Sequence, residues 1–216
     1  ADNYMETDED KITIRKHQEL ENDSNNTSAK NLGDFVSKTK INGGYYIGRY
    51  EASYKDDAHC YSKKSTSIRA SYNTKLENGM LWTYIMQRMA AQVARNSFNS
   101  SYVESDLINS YSWDTAIIFI QKYSGNSDYA HQQGRSINSN METVNTGMNL
   151  DKVCNIHDMA SNVREWSTEH GTEASKHGTF RGGQNGYDGY MVYHRFAYSH
   201  SSYMQQYGFR SILYLK

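Results

Sequence analysis

The feature that most constrains the fold is a series of three short motifs in the second half of the chain. They are Asn155-Ile-His-Asp-Met-Ala-Ser-Asn-Val-Arg-Glu-Trp166, Arg181-Gly-Gly183 and Gly208-Phe-Arg210. Glycines allow tight turns and close backbone approaches, and the neighbouring large aromatic residues indicate a packed core. The motifs therefore predict a scaffold. The polar, tyrosine-rich segment between the last two motifs is the part that such a scaffold displays.

The composition predicts a globular, loop-rich domain with an aromatic core. The chain has 216 residues, of which 37% are hydrophobic, and includes 19 tyrosines and three tryptophans. Its mean hydropathy is -0.86, but large aromatic side chains each bury much apolar surface. A chain of this length can form a single core. We expect an N-terminal arm over residues 1–31, which are charged and rich in asparagine, and one domain over residues 32–216.

Charge and hydropathy argue against two classes of partner. The 23 basic residues are balanced by 24 acidic ones, so no basic face for nucleic acid is expected. No apolar run approaches the roughly 18 residues of a membrane helix, so no direct membrane insertion is expected. Residues 1–20 are polar and acidic and do not resemble a signal peptide. The two cysteines, Cys60 and Cys154, either pair or remain buried thiols, and the sequence leaves both open.

Hydrophobic periodicity predicts two helices. Apolar residues recur at helical spacing over residues 81–93 and again over residues 113–120, and Ser112 is placed to cap the second helix. Such stripes face a core in most proteins. The first stripe consists of Leu81, Trp82, Ile85, Met86, Met89 and Val93, and the second of Trp113, Ala116, Ile117 and Ile120.

Strand signals are short and scattered. Aromatic and β-branched residues after the turn at residues 42–44 predict a strand over residues 45–51. Further strands are predicted around residues 179–181 and over residues 209–215. Residues 54–79 are polar with few apolar anchors and are typical of a loop. Together with the two helices, this pattern favours an α+β domain.

Several of these segments, in this order, resemble the formylglycine-generating-enzyme, or sulfatase-modifying-factor, family. The matching segments are Gly43–Glu51, Leu107–Ala116, Asn155–Trp166, Arg181-Gly-Gly183 and Gly208-Phe-Arg210. The resemblance implies that family's fold, a C-type-lectin-like α+β domain with two helices, a small twisted antiparallel sheet and extensive loops. Ser161 departs from the pattern, because the family usually has glycine there and serine adopts a positive φ only at a cost.

The family's catalytic groups have no counterparts at the matching positions. The enzyme oxidises a sulfatase cysteine with two cysteines near its C-terminus, whereas residues 184–207 contain none and Cys154 lies upstream. Serine or tyrosine cannot replace a thiolate as copper ligand and nucleophile. A related branch holds iron through histidines, but none of the eight histidines here forms a metal-spaced pair, and the nearness of His194 and His200 in sequence is the only hint of such a site. We expect a non-catalytic protein, with a formylglycine-generating-type or histidine-iron oxidase as the alternative.

The family also binds structural calcium near its Asn-Val-x-Glu turn. Asn162 and Glu165 match that turn, and Val163 offers a backbone carbonyl, so the resemblance implies a calcium site of oxygen ligands. Alternatively, Glu165 pairs with an arginine, such as Arg164 or Arg181, or bonds the loop backbone. No other cofactor is expected.

The segment over residues 184–207 has the composition of a paratope. Its six tyrosines supply large amphipathic contact area, and its serine and asparagine residues supply adaptable hydrogen bonds. Alternatively, the tyrosines fill the core of a tyrosine-rich protein. The sequence does not decide whether Arg195, Phe196 and Ala197 contact the ligand or belong to the scaffold. The predicted ligand-binding residues are Asn185, Tyr187, Asp188, Tyr190, Tyr193, His194, Tyr198, His200, Ser202, Tyr203 and Gln205.

One branch of the resembling fold comprises the variable proteins of diversity-generating retroelements of phages, bacteria and archaeal viruses. Their diversified residues lie between the Arg-Gly-Gly and Gly-Phe-Arg anchors, and adenine randomisation of asparagine-type codons yields the residue types seen here. The resemblance implies a hypervariable receptor-binding or display protein on a virion or cell surface. Its expected partner is a protein or glycan on a host or cell surface, and an oligomer would add avidity. Exchangeable positions should point to solvent, which leaves the core intact.

Overall fold

The computed structural model describes residues 32–41, 43–133, 142–173, 176–185 and 189–216. The predicted N-terminal arm lies outside these residues. The described part is mixed α+β. Its helices are α1 (Leu32–Ile41), α2 (Gln87–Ser97), α3 (Ser110–Tyr123) and a 3-10 turn (Tyr129–His131). Its strands are β1 (Tyr45–Ile47), β2 (Ser53–Asp56), β3 (His59–Tyr61), β4 (Val103–Leu107), β5 (Lys152–Val153), β6 (Ile156–His157), β7 (Arg164–Glu173), β8 (Lys176–Arg181), β9 (Arg195–Tyr198), β10 (Tyr207–Phe209) and β11 (Ser211–Leu215).

Two small sheets and two hairpins organise these strands. The first sheet has the order β1-β11-β4 and is antiparallel throughout. The second has the order β10-β7-β8-β9, in which β10 runs parallel to β7 and the other pairs are antiparallel. Strands β2 and β3, and β5 and β6, form separate hairpins. The predicted closing strand is thus divided at Arg210, whose neighbours β10 and β11 belong to different sheets.

Helix α3 carries the first of two hydrophobic cores. Its cap is Asn109, whose Oδ1 accepts from the Ser112 backbone N–H at 2.8 Å, while Ser112 Oγ accepts from the Asn109 backbone N–H at 3.0 Å. The cap therefore lies three residues before the predicted one, and Ser112 is the reciprocal member of a capping box. The predicted apolar stripe of this helix is confirmed as buried.

The second core lies between helix α2 and the four-stranded sheet. The rings of Trp166 and Phe180 stack with centroids 3.5 Å apart, and Tyr207 packs on Phe180 at 4.1 Å. Trp166 Nε1 donates to the carbonyl of Ile85 at 2.8 Å, which satisfies its polar atom. All three rings are buried, so the tryptophan of the first motif is a core residue.

The predicted helix over residues 81–93 is wrong in its first half, because α2 begins only at Gln87. Leu81 is held extended by a β-bridge to Ser53. Tyr84 has a φ of 54°, in the left-handed region, which a right-handed helix cannot include. Leu81 is nevertheless buried, whereas Met89, inside the helix, is exposed. The apolar spacing therefore identified core residues but not the backbone that carries them.

The structure also differs from the predicted count of two helices. Helix α1 precedes the first strand, and its Phe35 packs against the rings of Tyr45, Tyr111 and Tyr214. Strand β1 is shorter than predicted and ends at Ile47. None of the described helices is long and apolar enough to cross a membrane.

Both cysteines are free thiols. Cys60 is buried, with its Sγ 3.2 Å from Ser97 Oγ, whereas Cys154 is exposed. The expectation of two buried thiols therefore holds for Cys60 alone. Burial raises the pKa of the Cys60 thiol, so Cys60 forms the reactive thiolate less readily than an exposed cysteine does.

Trp166→Ala should be severely destabilising. Removing a fully buried tryptophan leaves a large cavity against Phe180, and such changes cost about 3–5 kcal/mol. Trp166→Phe keeps a stacking ring and should cost clearly less. Urea denaturation of both variants measures this, and an alanine variant as stable as the parent would show that this core does not hold the sheet.

Candidate functional site

The first motif, residues 155–166, runs from β6 through a turn into β7, and we call it the motif turn. Asn155, Asp158 and Asn162 have φ values of 64°, 64° and 63°. Asparagine and aspartate tolerate this left-handed conformation better than most residues. Among the described residues, the left-handed positions include Asn162 but not Ser161. The departure from glycine at Ser161 is therefore accommodated, because Ser161 itself needs no positive φ.

A buried ion pair ties the motif turn to the closing motif. Arg210 Nη2 lies 2.6 Å from Glu165 Oε1, and Arg210 Nε lies 3.0 Å from Glu165 Oε2. The same guanidinium donates to the carbonyls of Gly48 at 2.6 Å and His157 at 2.7 Å. Both charged side chains are buried. A bidentate pair of this kind fixes orientation as well as charge.

Three further buried carboxylates, Glu51, Asp151 and Asp158, surround the same arginine. Glu51 accepts hydrogen bonds from Asn162 Nδ2 at 2.6 Å and from a backbone N–H of the motif turn at 3.1 Å. Burial, reinforced by Asp158 and Glu165, raises the pKa of Glu51 well above its usual value. Burial also raises the pKa of Asp158 to about 7. Burial in this cluster therefore favours the neutral form of both carboxyl groups.

The residues predicted for calcium already bond to protein groups. Both oxygens of Glu165 accept from Arg210, which is neither of the two arginines named from the sequence. Asn162 Oδ1 accepts from the backbone N–H of Val144 at 2.9 Å, and the Val163 N–H donates to Glu51. The side-chain oxygens of Glu165 and Asn162 therefore already accept hydrogen bonds, which a calcium ion would have to displace.

The anchor around Arg181 is equally buried. Arg181 Nη2 lies 2.6 Å from Asp114, and Arg195 Nε lies 3.1 Å from Glu169 Oε1. Although burial opposes it, the two arginines lower the pKa of Glu169. A Cβ at Gly183 would lie 1.9 Å from a backbone carbonyl oxygen, so only glycine fits there. Arg195, left open from the sequence, is therefore part of the scaffold.

Two of the predicted ligand-binding residues are buried in the scaffold. The Oδ1 of Asn185 accepts from the Asn162 backbone N–H at 3.0 Å and from Asn149 at 3.2 Å. Tyr193 belongs to the first core. Their burial conflicts with the expectation that every position of this set points to solvent. Two others, Tyr187 and Asp188, lie outside the described residues.

A first aromatic cluster, made of Arg164, Tyr190, Phe196 and Tyr198, reaches the surface at β9. The Arg164 guanidinium lies 3.9 Å from the centre of the Tyr190 ring, and Tyr190 meets Phe196 edge-on at 4.4 Å. Tyr198 is 39% exposed and its ring lies 6.0 Å from that of buried Tyr207. A guanidinium over the face of an aromatic ring is attracted to the ring, which holds both side chains in place. Phe196, left open from the sequence, belongs to this cluster.

A second aromatic cluster, made of Arg69, Tyr72, Tyr84 and Tyr203, lies at the other end of the loop that follows β9. Tyr203 is 40% exposed and packs against Tyr72 in a tilted arrangement with centroids 4.5 Å apart. The Arg69 guanidinium lies over the rings of Tyr72 and Tyr84, at 5.5 and 5.6 Å. Gln205 Nε2 reaches the Arg69 carbonyl at 3.4 Å.

Sequence reasoning missed the first three members of this second cluster. Arg69 and Tyr72 lie in residues 54–79, which the sequence predicts as a loop, and Tyr84 lies in the predicted helix over residues 81–93. No spacing or motif relates them to Tyr203, because the contact forms only when the two loops meet. A surface of this kind can be found only from the folded chain.

The remaining predicted residues are His194, His200 and Ser202. His194 Nδ1 accepts from the Met191 backbone N–H at 2.8 Å, and its ring lies 5.2 Å from that of Phe196. His200 is exposed, and its carbonyl accepts from the backbone of helix α2 at 3.2 Å. Ser202 is half-buried and closes a turn with Ser199. Within the described ranges, no three His, Cys, Asp or Glu side chains are grouped so that they could hold a metal ion.

Comparison with known proteins supports the resemblance at the level of the fold. No family model and no curated protein matches the sequence. The crystal structure of CarF matches with a TM-score of 0.51 and 14% identity, over 80% of this chain and 87% of CarF. Treponema denticola variable protein 1 matches with a TM-score of 0.36 and 17% identity, over 56% of this chain and 52% of that protein. The CarF match shows a shared fold, and the second overlap is too low to carry an argument.

Protonation of Asp158 makes the free energy of unfolding depend on pH. Because its folded pKa of about 7 lies above the ordinary 3.8, the folded state binds the extra proton. This stabilisation is present at low pH and is lost as the pH rises from about 4 through 7. We expect the free energy of unfolding to be lower at about pH 8 than at about pH 5.5, as measured by urea denaturation with a chelator present.

Asp158→Asn is the matched control for this prediction. Asparagine tolerates the positive φ and can still accept from the Gly147 N–H, which lies 2.5 Å from the native carboxylate. It cannot titrate, so the variant should lose less stability between the two pH values. Parallel stability profiles for the two proteins would contradict the assignment of the proton to Asp158.

Proposed function

We propose that this chain is a non-catalytic ligand-binding protein of the formylglycine-generating-enzyme type of C-type-lectin-like fold. We further propose that it is the variable protein of a diversity-generating retroelement. The observation that carries the proposal is the contrast between buried anchors and an exposed segment between them. Arg181 and Arg210 lie in the core, while Tyr198 and Tyr203 reach solvent.

The contrast matters because exchangeable residues must not carry the fold. Substitution at an exposed site away from caps and turns usually changes stability little, whereas loss of a buried charge partner is severely destabilising. Both anchor arginines form buried ion pairs: Arg210 pairs with Glu165, and Arg181 pairs with Asp114. The half-exposed tyrosines between them make ring contacts and no core ion pair. Such a surface tolerates replacement.

The chemistry of the two aromatic clusters suits recognition. Tyrosine and arginine are enriched among residues that dominate binding energy, because they offer large, rigid, amphipathic contact area. Arg164 and Arg69 lie outside the segment between the anchors, so they would form a constant base beneath exchangeable tyrosines. We therefore extend the proposed binding surface to Arg69, Tyr72 and Tyr84.

The proposed partner is a protein or glycan on a host or cell surface, and the proposed location is a virion or cell surface. Stacked tyrosines fit both ligand classes, because they bind apolar faces and donate hydrogen bonds through their hydroxyl groups. We propose no cofactor. A calcium ion at Glu165 is unnecessary on this view, since Arg210 supplies the positive charge that the carboxylate needs.

The competing proposal is an oxidase of the same fold. Such an enzyme would bind copper or iron and consume oxygen with a thiol substrate, neither of which the binding proposal predicts. Metal analysis of the purified protein with an oxygen-uptake assay separates the two. Stoichiometric copper or iron together with oxygen uptake would overturn the binding proposal.

The binding surface can be tested with paired tyrosine variants. Tyr198→Ala combined with Tyr203→Ala should weaken binding to the ligand found on an array of purified glycans and cell-surface proteins. The expected loss is at least about 30-fold, as for residues that dominate an interface. The melting temperature should change little, because both side chains are partly exposed.

The matched control replaces Tyr102 and Tyr123, which are exposed outside both aromatic clusters. This pair should bind within about twofold of the parent, since exposed residues remote from an interface contribute little. Equal losses in the two pairs, or no loss in the first, would contradict the proposed surface. A large fall in melting temperature for the first pair would show that these tyrosines are core.

A further inference from the structure

A cavity of about 490 Å³ lies between strand β1, helix α3 and the turn that joins β5 to β6. This volume falls in the usual range of small-molecule sites, about 300–1,000 Å³. None of its lining residues belongs to either aromatic cluster. The proposed function therefore leaves it unexplained.

The walls of the cavity are mainly apolar. Ile156 is buried, while Tyr46 and Phe119 are 60% and 48% exposed. The two exposed rings border one concave space, and such a contiguous apolar patch marks a ligand groove more often than scattered exposed residues do. An apolar ligand body in the cavity would cover both.

Arg49 is the one charged residue among the described lining residues. Its Nη2 donates to Asn155 Oδ1 at 2.9 Å, which holds the guanidinium at the cavity with further N–H donors. The pairing uses a neutral amide, so the positive charge of Arg49 is not compensated by that contact. An anionic group on a ligand would form a charge-assisted hydrogen bond there.

We propose that this cavity is a second ligand site, which binds a small amphipathic anion. The ligand would place an aromatic or aliphatic body between the apolar walls and a carboxylate against Arg49. The site is distinct in residues from the proposed binding surface, so it does not depend on the proposed function. A charged ligand and its neutral analogue should therefore differ in affinity.

Cys154 provides a reporter at the rim of the cavity. Its thiol is exposed and lines the cavity, whereas Cys60 is buried. A thiol reagent added to the folded full-length protein should modify Cys154 first. A bound ligand should shield it. The variant Cys154→Ser identifies any signal that comes from Cys60.

The first experiment compares naphthylacetate with the neutral naphthylacetamide by calorimetry and by the rate of Cys154 modification. Naphthylacetate should bind saturably and slow the modification, and the amide should bind about tenfold more weakly, as expected for loss of a charge-assisted hydrogen bond. Arg49→Gln, which keeps a donor for Asn155, should remove the preference for the acid. Equal affinity of the acid and the amide for the parent protein would overturn the proposal.

The second experiment fills the cavity. Thr115 is exposed on helix α3 and lines the cavity, so Thr115→Phe should abolish naphthylacetate binding with little change in melting temperature. Thr115→Ala removes the same hydroxyl but leaves the cavity open, and should bind like the parent. Retained binding in the phenylalanine variant, or unchanged Cys154 reactivity at saturating naphthylacetate, would show that the compound binds elsewhere.

Discussion

The buried ion pair between Arg210 and Glu165 is the interaction on which the rest of the structure depends. Arg210 sits between β10 and β11, which belong to different sheets, and its guanidinium also bonds the carbonyls of Gly48 and His157. One side chain thereby joins both sheets to the motif turn. Loss of one member of such a pair leaves an uncompensated buried charge, which costs about 3–5 kcal/mol. With Glu165 buried opposite it, an apolar residue at position 210 would leave that carboxylate without its charge partner.

Because buried ion pairs hold the elements together, the exposed side chains between the anchors contribute little to the stability of the fold. The buried ion pairs of Arg181 and Arg195 hold β8, β9 and helix α3 together on one face of the sheet. Tyr198 lies at the exposed edge of the other face, beside buried Phe180 and Tyr207, and Tyr203 lies further along the loop. A rigid interior and a tolerant exterior are the two conditions for a surface that changes sequence and keeps its shape. On the proposed function, the buried ion pairs supply the first condition and the exposed tyrosines the second.

The sequence predicted the elements that have a local physical signature. The apolar stripe of α3, the core tryptophan of the first motif and the strand around residues 179–181 are present, because periodicity and glycine placement act over a few residues. The start of α2 was wrong, since a tertiary bridge to Ser53 keeps Leu81 extended. The partner of Glu165 and the contact between Tyr72 and Tyr203 were not predicted. Both join residues far apart in the chain, and no local pattern encodes such contacts.

The most direct measurement is the sequence of the 3′ end of the gene across sibling isolates or one outgrown population. Substitutions should be confined between the codons for Gly183 and Gly208. Within that window, changes should concentrate at exposed positions such as Tyr198 and Tyr203, while the codon for buried Arg195 stays constant. An invariant window, or substitutions spread evenly along the gene, would contradict the claim that this chain carries a diversified binding surface.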